Sequence, residues 1–304
     1  MVLSVHKLSR PFKFPSRLDH HHLKPDDALS ASLRAFRSKI SDFITQICFK
    51  TEPGSDFRFN KCFDLINITN RAFAKMVVEI DYPMTRWGSK LTDKYLSYTL
   101  NLLDLLNSVN SSVSHLNHAK ILIFHALSLI KNSPSSAAEH LKKIPITNLS
   151  KEFKLQKSIR IEERPGSEKE RVVLQALDIS RKIGFLVLGL VLSGLCSDAK
   201  PYMEIRRIAG GFDDSLIKDL DSRFCKEIQE KMEEVKQVNS ATERLSMAIS
   251  TGRYIEDVEE LKTRLQVLEN SIQEIEKKAN NLFSEVLVTR NKLLDNLRLT
   301  GQST

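Results

Sequence analysis

Punctuation is scarce in this chain. Ten glycines and nine prolines in 304 residues are too few turn-formers for a many-stranded β fold. The four cysteines, Cys48, Cys62, Cys196 and Cys225, form no CxxC pair. Their wide spacing argues against a zinc site and a disulfide framework, and fits a reducing compartment. No Walker A loop, Rossmann glycine fingerprint, GxSxG elbow or HExxH occurs. We therefore assign no catalytic, cofactor-binding or metal-binding residues, and expect a protein that is not an enzyme. Carboxylates are plentiful toward the C-terminus, but they alternate with Lys and Arg, as on a wetted helix face. The N-terminus has no continuous apolar run of the kind a secretory signal needs.

Helical periodicity is what the chain does have. Its 41% hydrophobic and 28% charged residues suit a globular chain able to bury a core. The organising stretch is Ile183–Cys196, fourteen residues without a charge, containing Ile183, Phe185, Leu186, Val187, Leu188, Leu190, Val191 and Leu192. A helix that is apolar all round must be buried in protein or in lipid. Fourteen residues reach roughly 21 Å, short of the about 30 Å of a bilayer's hydrocarbon. Two readings stay open: the central rod of a helical core, or a segment in contact with a membrane. Gly189 and Ser193 supply a small-xxx-small pair for close helix approach.

Around this rod the sequence predicts an all-α, elongated multi-helix bundle ending in a coiled-coil-like helical hairpin. Residues 1–26 form a basic, Pro/His-rich arm, 27–144 an N-terminal bundle, 145–170 a polar linker, and 300–304 a tail. The apolar rod and the hairpin, 171–299, pack on the bundle. Leu29, Leu33, Phe36, Ile40, Phe43, Ile44 and Ile47 make a first helical stripe, ended by Pro53-Gly54. A second helix runs from about Phe57 to Ile80 and stops before Pro83. Ser89 caps a third, whose stripe of Leu91, Tyr95, Tyr98, Leu102, Leu105, Val109, Val113 and Leu116 is close to a heptad seam. It continues past Lys131 toward Pro134, a short helix follows over 137–143, and Pro201 closes the apolar helix.

Asp213 or Asp214 starts a helix through Val235 toward residue 249, and a break near Gly252 precedes the last helix, Tyr254 to about Leu297. That helix carries the cleanest seam: Leu261, Leu265, Leu268, Ile272, Ile275, Ala279, Leu282 and Val286. It is expected to pair with the 214–249 helix, with self-association as the alternative.

Imidazoles and basic charge read as structural or solvated. His20, His21 and His22 lie in the arm without a completing carboxylate or thiol, and His115, His118 and His125 share a helix face that also holds Leu122. Half of the +8 net charge sits in the first 25 residues, but nothing patterns it for nucleic acid, and no nucleic-acid partner is expected. Residues 1–18, with four Lys/Arg, several Ser and no acid, have the loose composition of a transit peptide. The expected location is cytoplasmic, with plastid targeting and membrane association as the rivals.

One segment carries a resemblance. YPMTRWGSKLTDKYLSYTLNLLDLLNSVNSSVSHLN (82–117) resembles the plant BYPASS family, related to the ROH-like proteins, through Pro83, Trp87, Asp93, Tyr95, Leu96, Leu102, Leu103, Asp104, Leu116 and Asn117. Ser9–Arg17 is similar to the family's Pro/Phe-rich start, and Lys90 and Lys94 depart from its acidic or aromatic character. The resemblance implies a non-enzymatic regulator of plant development that restrains a root-derived mobile signal acting on shoot and root growth. It also implies protein partners, exocyst or secretion components among them. The alternatives are a membrane-associated adaptor in secretion-linked trafficking, and an enzyme or carrier for a small apolar signal metabolite.

Overall fold

A computed structural model describes residues 25–49, 59–145, 166–231 and 234–301. Every regular element among them is helical, so the chain is an all-α, multi-helix protein. The helices are α1 (Pro25–Phe49), α2 (Phe59–Glu79), α3 (Ser89–Leu129), α4 (Pro134–His140), α5 (Glu168–Cys196), α6 (Lys200–Ala209), α7 (Ser215–Lys231), α8 (Glu234–Thr251) and α9 (Ile255–Gly301). A single 3-10 turn, Met84–Arg86, leads from α2 into α3. Most of the N-terminal arm with its three histidines, Pro53-Gly54, and most of the 145–170 linker lie outside the described residues.

The apolar stretch occupies the second half of α5. From Ile183 to Leu192 every side chain is buried, and α5 packs against α1, α2, α3, α6, α7 and α8. The helix is long and apolar enough to cross a bilayer, yet 83% of its most apolar window is enclosed by protein here. Its start is a variant of the capping box, in which the carboxylate reaches the residue before the cap. Ser167 Oγ accepts from Glu170 N–H at 3.1 Å, while Glu170 Oε2 takes the Gly166 N–H at 2.9 Å. Its end is Ser197 in the left-handed region (φ 48°), a position that closes the last turn.

Several boundaries differ from those expected, each for a local reason. Pro201 opens α6 rather than closing α5, because a residue without an N–H is tolerated in a first helical turn. The N-cap of α3 is Gly88, with no side-chain bond, and Ser89 is already helical. The helix ends at Leu129, and the N–H groups of Asn132 and Ser133 both turn back onto its carbonyl. Pro134 then begins α4, so the short helix lies three residues earlier than the apolar pattern suggests. The 214–249 segment is two helices, α7 and α8, with Asp214 capping α7 through Leu216 N–H at 2.9 Å.

The seam of α9 is buried from Leu261 to Val286, but two helices cover it. α8 runs antiparallel to its first half, as Arg264 Nη1 to Gln237 (2.9 Å) and Arg244 near Asp257 and Glu260 record. α3 runs antiparallel along its length, fixed by Lys120–Glu269 (2.8 Å), Asn110–Asn280 (3.0 Å) and Arg290–Thr99 (2.8 Å). The expected hairpin partner thus supplies only part of the seam.

Candidate functional site

The motif residues of the α2–α3 corner form an aromatic cluster. Proline at 83 ends the chain's reversal, and Trp87 follows in extended conformation. Its indole N–H donates to the Tyr82 carbonyl at 3.0 Å. Trp87 meets Tyr95 edge-on at 5.6 Å, and Phe73 lies 6.3 Å from Trp87 and 6.4 Å from Tyr95. Tyr95 in turn meets Tyr98 at 6.4 Å. Leu102 is buried one turn further on, whereas Pro83, Asp93 and Asp104 are exposed. The motif thus combines three buried packing positions, Trp87, Tyr95 and Leu102, with acids that face water.

Tyr98 connects this cluster to a cleft between α3 and α5. The cleft encloses about 50 Å³ and is lined by Lys94, Ser97, Tyr98, Asn101, Leu174, Leu177, Asp178 and Arg181. On each helix the lining residues recur at three- and four-residue steps, so each set is one face turned toward the other helix. Gly184 permits the close approach below it: a Cβ there would lie 3.1 Å from Leu102 Cδ1.

The cleft's charges are fixed in place. Arg181 Nη2 donates to the Ala209 carbonyl at 2.7 Å and to Asp178 Oδ1 at 3.1 Å, and its guanidinium lies 5.4 Å from the centre of the Phe185 ring. Asp178 also pairs with Lys182 at 2.7 Å. Lys94 is half-buried and has no partner among the described residues. Burial pushes the Tyr98 phenol far above its ordinary range, the neighbouring Tyr95 adds to this, and Arg181 pulls it back. Burial raises Tyr95 to about 12, with Arg290 opposing. Both rings are therefore neutral hydrogen-bonding groups at physiological pH.

Other reactive side chains are dispersed. Cys62 and Cys196 are buried and in no disulfide, and burial, aided by Asp198, pushes the Cys196 thiol up to about 11. Such a thiol is protonated at neutral pH and a poor nucleophile. His118 and His125 are exposed, His125 meets His140 edge-on at 5.8 Å, and His115 is half-buried with a buried, unpartnered Nε2. No group of three or more His, Cys, Asp or Glu converges among the described residues.

The aromatic corner and the apolar stretch of α5 are legible in the sequence, whereas the cleft is not. Its one signal was Lys94, noted only as a departure from the motif.

Comparison with known proteins agrees with the motif. The family model described as "Protein BPS1" matches residues 84–295, from the 3-10 turn to near the end of α9. "Protein BPS1, chloroplastic" of Arabidopsis thaliana is 24% identical over 271 residues, covering 78% of this chain and 74% of that protein. "UPF0496 protein 4" of Oryza sativa subsp. japonica is 20% identical over 288 residues, covering 88% of this chain, and its indica counterpart is 20% identical over 287. This chain spans 58% of the length of each rice protein. No solved structure matches it. The chain belongs to the BPS1 family, the BYPASS family that its Pro83–Asn117 motif resembles.

Proposed function

We propose that this chain is a non-enzymatic regulator of plant development that acts through protein–protein contacts. Family membership supports the developmental role. The observation that supports contacts is on the last turns of α3, where Ile121, Leu122 and Phe124 are 61%, 48% and 39% exposed. Three large apolar side chains within four residues, on a helix whose opposite face is fully buried, are suited to a partner surface. The secretion components implied by the ROH-like relationship are the first partners to test.

The experiment is genetic and biophysical together. A double variant, Ile121→Glu with Phe124→Glu, changes only surface positions and is expected to leave stability within about 0.5 kcal/mol. It should fail to restore growth in a plant lacking this gene, where the unaltered chain succeeds. Full restoration by the variant overturns the assignment of this surface.

The membrane-adaptor reading requires α5 to leave its six neighbours. Their own apolar faces would then be left to water, at about 1.5–3 kcal/mol for each large side chain newly exposed. For location, the chloroplastic designation of the Arabidopsis relative and the acid-free, basic residues 1–18 support a plastid. A fluorescent fusion that stays in the cytosol would refute it.

A further inference from the structure

The cleft between α3 and α5 has an unbalanced charge. Its lining contains Lys94 and Arg181 against the single carboxylate of Asp178, a net charge of +1. Lys182, which also binds Asp178, further dilutes that carboxylate. Lys94 lines the cleft as a half-buried residue and forms no ion pair among the described residues.

The donors are pre-arranged for an anion. Arg181 is held by two bonds that both use Nη2, so the other edge of its guanidinium keeps its donors. It is fixed by the Ala209 carbonyl and the Phe185 ring, which lowers the entropy a ligand must remove. Tyr98, neutral at physiological pH, adds to the lining while its hydroxyl donates to Asn70 Oδ1 at 3.4 Å, so the anion's donors are Lys94 and Arg181. Leu174 and Leu177 supply an apolar wall. One surplus positive charge matches the single negative charge of a monocarboxylate rather than the several of a polyphosphate.

We infer that the α3–α5 cleft is a binding site for a small organic monocarboxylate, its carboxylate between Lys94 and Arg181 and its apolar body against Leu174 and Leu177. This inference goes beyond the protein-contact reading and does not depend on it, since the cleft and the exposed end of α3 share no residues.

The test is calorimetric titration of the full chain with benzoate and hexanoate, each against its neutral amide and against inorganic phosphate. Two variants accompany it: Lys94→Met removes the surplus charge, and Leu174→Phe fills the space from the half-buried wall. Removing a charged hydrogen-bond partner is expected to weaken binding about tenfold or more. The expected result is saturable carboxylate binding that exceeds amide and phosphate binding by about tenfold and drops in both variants while their melting temperatures hold. No saturable binding of either carboxylate overturns the inference. So does equal binding of the amides or phosphate, or binding that both variants leave unchanged. If one variant fails to fold, the other decides alone.

Discussion

Tyr202 donates its phenolic hydrogen to Asp221 Oδ1 at 2.8 Å, deep in the corner where α5, α6 and α7 meet. The same carboxylate accepts Arg206 Nε at 2.7 Å and Nη2 at 2.8 Å. Burial raises the Tyr202 phenol well above its usual range, with the Asp221 charge and hydrogen bond adding to it. Asp221 is thus the fixed acceptor that joins α6 to α7. Replacing it by Ala leaves a buried hydroxyl and a partly shielded guanidinium unpaired. The expected cost is about 2–3 kcal/mol, read as a lower urea midpoint with an unchanged slope.

α6 reaches this corner because α5 is narrow beneath it. Ser193 Oγ accepts the Tyr202 N–H at 2.9 Å, and a Cβ on Gly189 would lie 3.4 Å from Ile205 Cβ and Tyr202 Cδ2. That is ordinary contact. Gly189→Ala should therefore stabilise by up to about 1 kcal/mol, the helix-interior difference between Gly and Ala. Gly189→Leu should overpack the same gap and cost about 2–3 kcal/mol. Equal losses for both variants in chemical denaturation would refute this account of the small-xxx-small pair.

On the α3–α9 seam, Leu265 is fully buried and Glu269 holds the almost enclosed Lys120 at 2.8 Å. Leu265→Ala should cost about 2–5 kcal/mol by opening a cavity. Glu269→Gln should cost less, about 1–2 kcal/mol, because the Lys120 stem can redirect its ammonium toward water. Thermal melts of the two single variants give the order.

The tyrosine corner sets the behaviour at high pH. Tyr95 has its folded pKa raised to about 12 from an ordinary 10. Its contribution to stability is whole below pH 10 and is lost as pH climbs through 12. At most it amounts to about 2–3 kcal/mol. Tyr95→Phe should flatten this alkaline loss of stability, and absorbance titration near 295 nm should show one fewer late-ionising phenol.

Legibility in the sequence followed the reach of each signal. Stripes at three- and four-residue steps are local, so Phe36–Ile40–Ile44, Leu91–Leu102 and Leu261–Leu282 could be read as buried faces, and all are buried. The partner of a stripe is not local. Nothing near Leu268 in sequence says that α3, whose Lys120 bonds Glu269 across 149 positions, would cover it. Proline gave the wrong element at 134 and 201, because the residue both stops helices and starts them. The cleft was unreadable for the same reason as the seam. Lys94–Asn101 and Leu174–Arg181 each look like an ordinary polar edge until the two helices are side by side.

The distance along the chain between α3 and α9 also governs how this protein is made. Bonds from Lys120, Asn110 and Thr99 close only with residues 149, 170 and 191 positions later. At about 5–20 residues per second, synthesis takes on the order of ten to forty seconds to supply them. During that interval the α9-facing side of α3 is bare on the ribosome. Chaperone dependence should therefore concentrate on nascent chains longer than α3 and shorter than α9, and release should coincide with emergence of Arg290.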